Sequence, residues 1–244
     1  MRIISQKTDI LNNEEFIKNA TTKDYIYGIT INVALTKDNK ILTYNLPANI
    51  EASINTIENS TYDELNNFEL DLLENILNNL NKKNYNKLIY LNINPFKTGP
   101  LTDENIEETT RRMNLYLDEI KKIIDEYPNL KINLHSINRS LVTIMKQKIK
   151  NHQIGYIINN NDLNFIDVNY YTVIMNVFND TIIDILLKEK KEVNLYISSD
   201  YYLSFVYNHY VGEKSTPYRK EIFKDLGIVT SYPNIIYQTF KDSI

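Results

Sequence analysis

Cysteine is missing from all 244 residues, which excludes a disulfide framework, a thiolate metal site and a thiol nucleophile. Tryptophan is absent as well, glycine occurs five times and histidine three times. No Gly-rich phosphate fingerprint follows any predicted strand, so a nucleotide-binding loop of that kind is excluded. No apolar run approaches the length of a membrane span, and the chain opens on Arg2-Ile3-Ile4 in place of an apolar leader. A cytoplasmic location is therefore the default expectation, with attachment to a membrane through a partner left open. Basic clusters are lacking too, and a net charge of -4 argues against nucleic acid as the main partner.

What remains is the composition of an ordinary soluble globular protein, 43% hydrophobic and 24% charged. The length suits one large domain spanning 1–244. Asn, Ile, Lys and Tyr are abundant, so any single Asn is weak evidence of function. The Asn-rich patch from Asn75 to Asn86 reads as a helix end and loop, and no internal repeat or linker is visible.

Local patterns alternate between strand and helix. Ile3-Ile4 reads as a buried strand and Asn13 to Lys18 as a short helix with acidic residues in its first turn. Ile29, Ile31, Val33 and Leu35 alternate with Thr30, Asn32 and Ala34; Lys37-Asp38-Asn39 carries turn chemistry, and Ile41-Leu42 starts a second extended run. Ser60 to Leu65 holds a capping box, Ser60 with Asp63 or Thr61 with Glu64, opening a helix through Leu70, Leu72, Leu73, Ile76, Leu77 and Leu80. Lys87 to Ile93 is a strand halted by Pro95. Thr102-Asp103-Glu104 starts a long helix whose apolar face is Ile106, Met113, Leu117, Ile120, Ile123 and Ile124.

Leu130 to His135 is a strand, Ser140 to Ile149 a helix and Ile154 to Ile158 a strand. Phe165 to Val168 fits strand or loop, and Tyr171 to Leu187 reads as helix. Val193 to Ile197 is a strand, Tyr218 to Leu226 a helix closed by Gly227, and Ile228-Val229-Thr230 the last strand. This alternation implies a parallel sheet, and closure into an eight-stranded barrel fits the length better than a Rossmann fold.

The segment from Gly28 to Pro47 resembles the glycerophosphodiester phosphodiesterase family, where an apolar strand bearing Glu-x-Asp is followed by Leu-Thr-Lys-Asp-Gly and a strand ending in His-Asp. Here the same frame holds Thr30-x-Asn32, Leu35-Thr36-Lys37-Asp38-Asn39 and Asn45-Leu46. The resemblance runs in order along nearly the whole chain. Ile3 to Lys7 stands where the family has a strand ending in His-Arg, so a catalytic histidine falls on Gln6 and a phosphate-binding arginine on Lys7. The second catalytic histidine falls on Asn45. Metal-binding acidic residues fall on Thr30, Asn32 and, in Leu91-Asn92-Ile93-Asn94-Pro95, on Asn92, with a basic residue on Asn94. Thr61 to Leu65 resembles the family's Leu-Thr-x-x-Glu-Leu, His135-Ser136-Ile137 its Ser-Phe strand end, and Leu195-Tyr196-Ile197 stands near its Trp-Thr-Val-Asn. Gly227 to Pro233 is similar to Gly-Ile-Ile-Thr-Asp-x-Pro, with Ser231 in place of the aspartate.

The resemblance implies an α/β fold, a (β/α)8 TIM barrel of the phosphatidylinositol-phospholipase-C-like phosphodiesterase type, and hydrolysis of glycerophosphodiesters or related lipid head groups around a divalent cation. The substitutions oppose that chemistry. Hard cations need anionic oxygen ligands, and Thr30, Asn32 and Asn92 are neutral. Gln6 and Asn45 exchange no proton near neutral pH, and two lost acid–base roles cost about 5 kcal/mol of barrier lowering. No cofactor is expected, and the chain is read as catalytically inactive. The Asn residues fit loss of selection in an Asn-rich chain, a neutral pocket kept for an uncharged or zwitterionic ligand, or a different placement of the motifs.

Elsewhere, of His135, His152 and His209 only His135 ends a predicted strand, where barrel sites lie; it fits a base, a ligand or a capped strand end. Asp200, after Ser198-Ser199, could hold a polar ligand with Lys7 or Arg139, or be a solvated loop charge. Glu107 with Arg111 and Glu108 with Arg112 have helix-supporting spacing. Tyr170-Tyr171, Tyr201-Tyr202 and Tyr207 to Tyr210 fit an aromatic rim or ordinary packing. Two readings follow. One is a non-catalytic barrel that binds a small polar ligand or a protein partner. The other is a phosphoric diester hydrolase with a rebuilt site using Lys7, His135, Asp200 and Tyr196.

Overall fold

The computed structural model describes residues 1–7, 13–44, 50–65, 68, 70–93, 106–159, 165–175 and 180–243. Asn45, Asn94, Pro95 and Thr102-Asp103-Glu104 lie outside the described residues, and so does the Asp200 side chain.

The strands are β1 Arg2–Gln6, β2 Ile26–Leu35, β3 Ile41–Tyr44, β4 Asp71–Leu72, β5 Leu88–Ile93, β6 Lys131–Ser136, β7 Ile154–Ile158, β8 Tyr170–Ile174, β9 Glu192–Ile197 and β10 Gly227–Thr230. The helices are α1 Asn13–Thr22, α2 Ile50–Asn59, α3 Leu73–Lys82, α4 Ile106–Asp125, α5 Arg139–Lys148, α6 Asp180–Lys188, α7 Asp200–Tyr210, α8 Pro217–Asp225 and α9 Pro233–Phe240. β1 pairs in parallel with both β10 and β2, which closes β1, β2 and β5 through β10 into an eight-stranded parallel barrel. β3 runs antiparallel along the C-terminal half of β2, from Asn32 opposite Tyr44 to Leu35 opposite Ile41, and β4 pairs with β3. Their hairpin turns through Asn39, whose φ of 64° is a left-handed conformation that Asn tolerates.

Alternation explains the closure. Ile29, Ile31 and Val33 of β2, Ile89, Leu91 and Ile93 of β5, and Val193, Leu195 and Ile197 of β9 belong to the buried core shared with the helices. The residues between them point to the barrel axis. The paired registers place these inward side chains in tiers of four from alternate strands. Gly28, Asn133, Tyr170 and Gly227 form a low tier, with Ile4, Tyr90, Gly155 and Asn194 above it. Thr30, His135, Thr172 and Val229 come next, and Gln6, Asn92, Ile157 and Tyr196 stand at the C-terminal mouth. Two glycines make room: a Cβ on Gly155 would lie 2.4 Å from the Tyr170 ring, and one on Gly227 would lie 1.9 Å from Asn194 Oδ1. Below the tiers Arg2 pairs with Glu192 at 2.9 Å, and Tyr90 donates its hydroxyl to the same carboxylate at 3.0 Å.

Several local expectations are corrected. The helix expected over Tyr171 to Leu187 is β8 followed by α6, because Tyr170 and Thr172 alternate inward while Tyr171 and Val173 join the outer core, a pattern that β-branched and aromatic residues favour. Tyr170 and Tyr171 are thus buried barrel residues and not a rim. The Thr61–Glu64 capping box forms, with Thr61 N–H donating to Glu64 Oε2 at 2.8 Å, but it opens one short 3-10 turn over Asp63–Leu65. The main helix begins only at Leu73, since Leu72 pairs with Leu42 in β4.

Phe165 to Val168 has no regular structure. Ile106 is exposed and leaves the apolar face of α4, while Tyr116 joins it. Arg111 bonds Glu108 through both nitrogens, an i,i+3 pair in place of the expected i,i+4 pairs. The short helices α2, α7 and α9 have no counterpart in the local sequence reading. Tyr201 projects from α7 at 75% exposure while Tyr210, on the same helix, is buried.

Candidate functional site

The C-terminal ends of β1, β2, β5 and β6 bring together Gln6, Lys7, Thr30, Asn32, Asn92 and His135, each at most 9% exposed. Asn32 and Asn92 occupy paired positions of β2 and β5. Asn92 Nδ2 donates to Asn32 Oδ1 at 2.8 Å, and Asn32 Nδ2 donates to the Tyr44 carbonyl at 3.4 Å. Thr30 sits opposite Gln6, and the ladder extends one step further as Lys7 N–H donates to the Thr30 carbonyl at 3.3 Å. Tyr196, across the mouth tier, has its phenol pushed up by burial, with a hydrogen bond from Gln6 opposing that shift.

His135 lies one tier down, its ring 6.1 Å from Tyr90 and 5.7 Å from Tyr170, with Nδ1 3.5 Å from Thr172 Oγ1. Burial without a charged partner pushes its pKa down to about 3, so the imidazole is neutral at physiological pH. The backbone places Asp200 at the start of α7, just past the end of β9. Thr172 and Asn194, absent from the sequence-based candidates, also face the axis and are buried. The alternation in Val193-Asn194-Leu195-Tyr196-Ile197 carries the signal for Asn194, whereas Thr172 was hidden by the helical reading of β8. Glu58 on α2 is a further buried carboxylate; complete burial, then nearby Tyr44 and Glu58, hold the Tyr116 phenol well above its ordinary value.

The residues at the family's metal positions do not fit a divalent cation. All three are neutral, and Asn32 Oδ1 already accepts from Asn92. Among the described residues no group of three His, Asp or Glu side chains is placed to hold a metal ion. No described helix is long and apolar enough to cross a membrane. A small apolar cleft near the mouth, lined by Ile197, Leu203, Thr230, Tyr232 and Ile236, has room for about one water.

No protein-family model matches the chain, and no curated protein matches it. Solved structures do. A glycerophosphodiester phosphodiesterase from Parabacteroides distasonis is 15% identical with a TM-score of 0.68, covering 99% of this chain and 97% of its own. A phosphodiesterase from Oleispira antarctica, solved with the product sn-glycerol-3-phosphate, is 12% identical with a TM-score of 0.66, covering 99% and 97%. A glycerophosphodiester phosphodiesterase from Thermotoga maritima is 14% identical with a TM-score of 0.53, covering 97% and 96%. At these identities the likeness is one of fold, and the chain has the closed (β/α)8 barrel fold of the glycerophosphodiester phosphodiesterases.

Proposed function

We propose that this chain is a non-catalytic barrel of the phosphodiesterase fold whose C-terminal mouth binds a small polar ligand or a protein partner. The observation that carries the reading is the Asn92–Asn32 amide pair beside Thr30, which stands where carboxylates would be needed. Gln6 at the mouth exchanges no proton near pH 7, and His135 is neutral and enclosed. The rebuilt-site hydrolase would draw on Lys7, His135, Asp200 and Tyr196, and burial disfavours the charged form of His135 and Tyr196.

The test is calcium and magnesium calorimetry beside a glycerophosphocholine hydrolysis assay on one preparation. Neither heat of binding nor turnover is expected. Metal-dependent cleavage that survives further purification and is lost on substituting mouth residues would overturn the reading.

A further inference from the structure

Six side-chain atoms inside the barrel are buried with no hydrogen-bond partner: Gln6 Oε1, Thr30 Oγ1, Asn92 Oδ1, His135 Nε2, Tyr170 OH and Asn194 Oδ1. Their residues are at least nine-tenths buried. Barrels of this kind usually fill the axis with Val, Ile and Leu, and native proteins pair nearly all buried polar atoms. Six orphans around one axis therefore call for partners from outside the chain, ordered water or a bound molecule.

The sense of those bonds can be read. Asn92 has its oxygen unpaired because its Nδ2 donates to Asn32, and Asn194 because its Nδ2 donates to Glu192 Oε1 at 3.4 Å. In Gln6 it is again the amide oxygen, Oε1, that is left unpaired. Three of the six are thus carbonyl oxygens that only accept, while the hydroxyls and the imidazole nitrogen do either. The inward residues of the upper three tiers include no Asp, Glu, Lys or Arg.

We propose that the upper barrel binds a small uncharged hydrogen-bond donor, a polyol, through Gln6 Oε1, Asn92 Oδ1 and Thr30 Oγ1 with His135 Nε2 beneath, and that it disfavours phosphate. Phosphate oxygens would face carbonyl oxygens there, whereas hydroxyl groups complete them. The inference deepens the ligand-binding reading and rests on it.

Ligand-observed NMR titrations with glycerol, erythritol, inorganic phosphate and sn-glycerol-3-phosphate test it, with thermal denaturation as a check on folding. Erythritol or glycerol is expected to bind saturably and phosphate not to compete. Thr30→Val should weaken polyol binding about tenfold and Thr30→Ser should retain it, as expected for one lost hydrogen bond in a buried site. Should Thr30→Val not fold, Asn92→Leu and the polyol–phosphate contrast on the parent chain carry the decision. Phosphate binding as tightly as the polyol, equal polyol affinity in the variants, or a crystal soaked in erythritol showing only ordered water would each overturn the inference. Diester cleavage would instead overturn the non-catalytic reading, so the two failures are separable.

Discussion

Asn92 and Asn32 hold one another by a 2.8 Å hydrogen bond between paired positions of β5 and β2, with Asn32 fully buried. That bond fixes the direction of both amides.

Asn32→Asp keeps the bond from Asn92 but buries a carboxyl, and desolvation raises its folded pKa above the unfolded value near 3.9. The penalty is absent below about pH 4, grows as pH rises toward the raised value and is complete above it. A shift of about two units corresponds to roughly 2.7 kcal/mol at pH 7. Urea denaturation of parent and variant at pH 4 and pH 7 checks this; equal differences at both pH values would contradict it.

His135, pushed down to about 3 in the folded state, stays neutral while the unfolded chain gains a proton below about pH 6.5. Its contribution is complete above pH 6.5 and is lost as pH falls toward 3, at about 1.4 kcal/mol per unit at most. The difference in stability between parent and His135→Gln should therefore change by roughly 2 kcal/mol between pH 6.5 and pH 4.5. Histidine NMR titration gives the folded value directly, and an imidazole titrating near 6 would remove the basis of the prediction.

Gly155→Ala puts a Cβ 2.4 Å from the fully buried Tyr170 ring. Overpacking of this kind costs about 1–3 kcal/mol. Tyr170→Leu in the same chain should relieve part of it, so the double variant is less destabilised than the sum of the singles. Additive losses in denaturant midpoints would show that the ring is not the obstacle.

Asn39→Gly should leave stability within about 0.5 kcal/mol, because the left-handed φ of 64° suits glycine, while Asn39→Val should cost about 1–2 kcal/mol. Thermal unfolding of the two variants tests whether the β2–β3 hairpin depends on this turn.

The strands most legible in the sequence are those whose outward side is packed by helices and whose inward side is polar. β2 shows this plainly, with Ile29, Ile31 and Val33 set against Thr30 and Asn32, and β9 repeats it. β8 was misread because the apolar residues of Tyr170-Tyr171-Thr172-Val173-Ile174 and of α6 follow one another closely, with no Gly or Pro between them to mark a boundary. α7 and α9 escaped because their apolar residues pack against each other and against neighbouring elements, so neither carries a wide apolar stripe of its own.

His135 was visible as a strand-end histidine, but its neutrality was not, since that depends on Tyr90, Tyr170 and Thr172 from two other strands. The same holds for the candidate site. Gln6, Thr30, Asn32 and Asn92 could be picked out by motif position, while Thr172 enters only once the barrel is closed.

Sequence alone determined what is local: alternation, turn chemistry at Asn39, the capping box at Thr61 and Glu64, and which residue types stand at each strand end. Each depends on neighbours a few positions away, where backbone geometry and side-chain type suffice. Tertiary structure decided what is shared around the ring: closure of β1 onto β10, the tiers, the Asn92–Asn32 bond and the unpaired oxygens that face the axis. Those follow from the register of eight strands taken together, and no local stretch of chain carries that register.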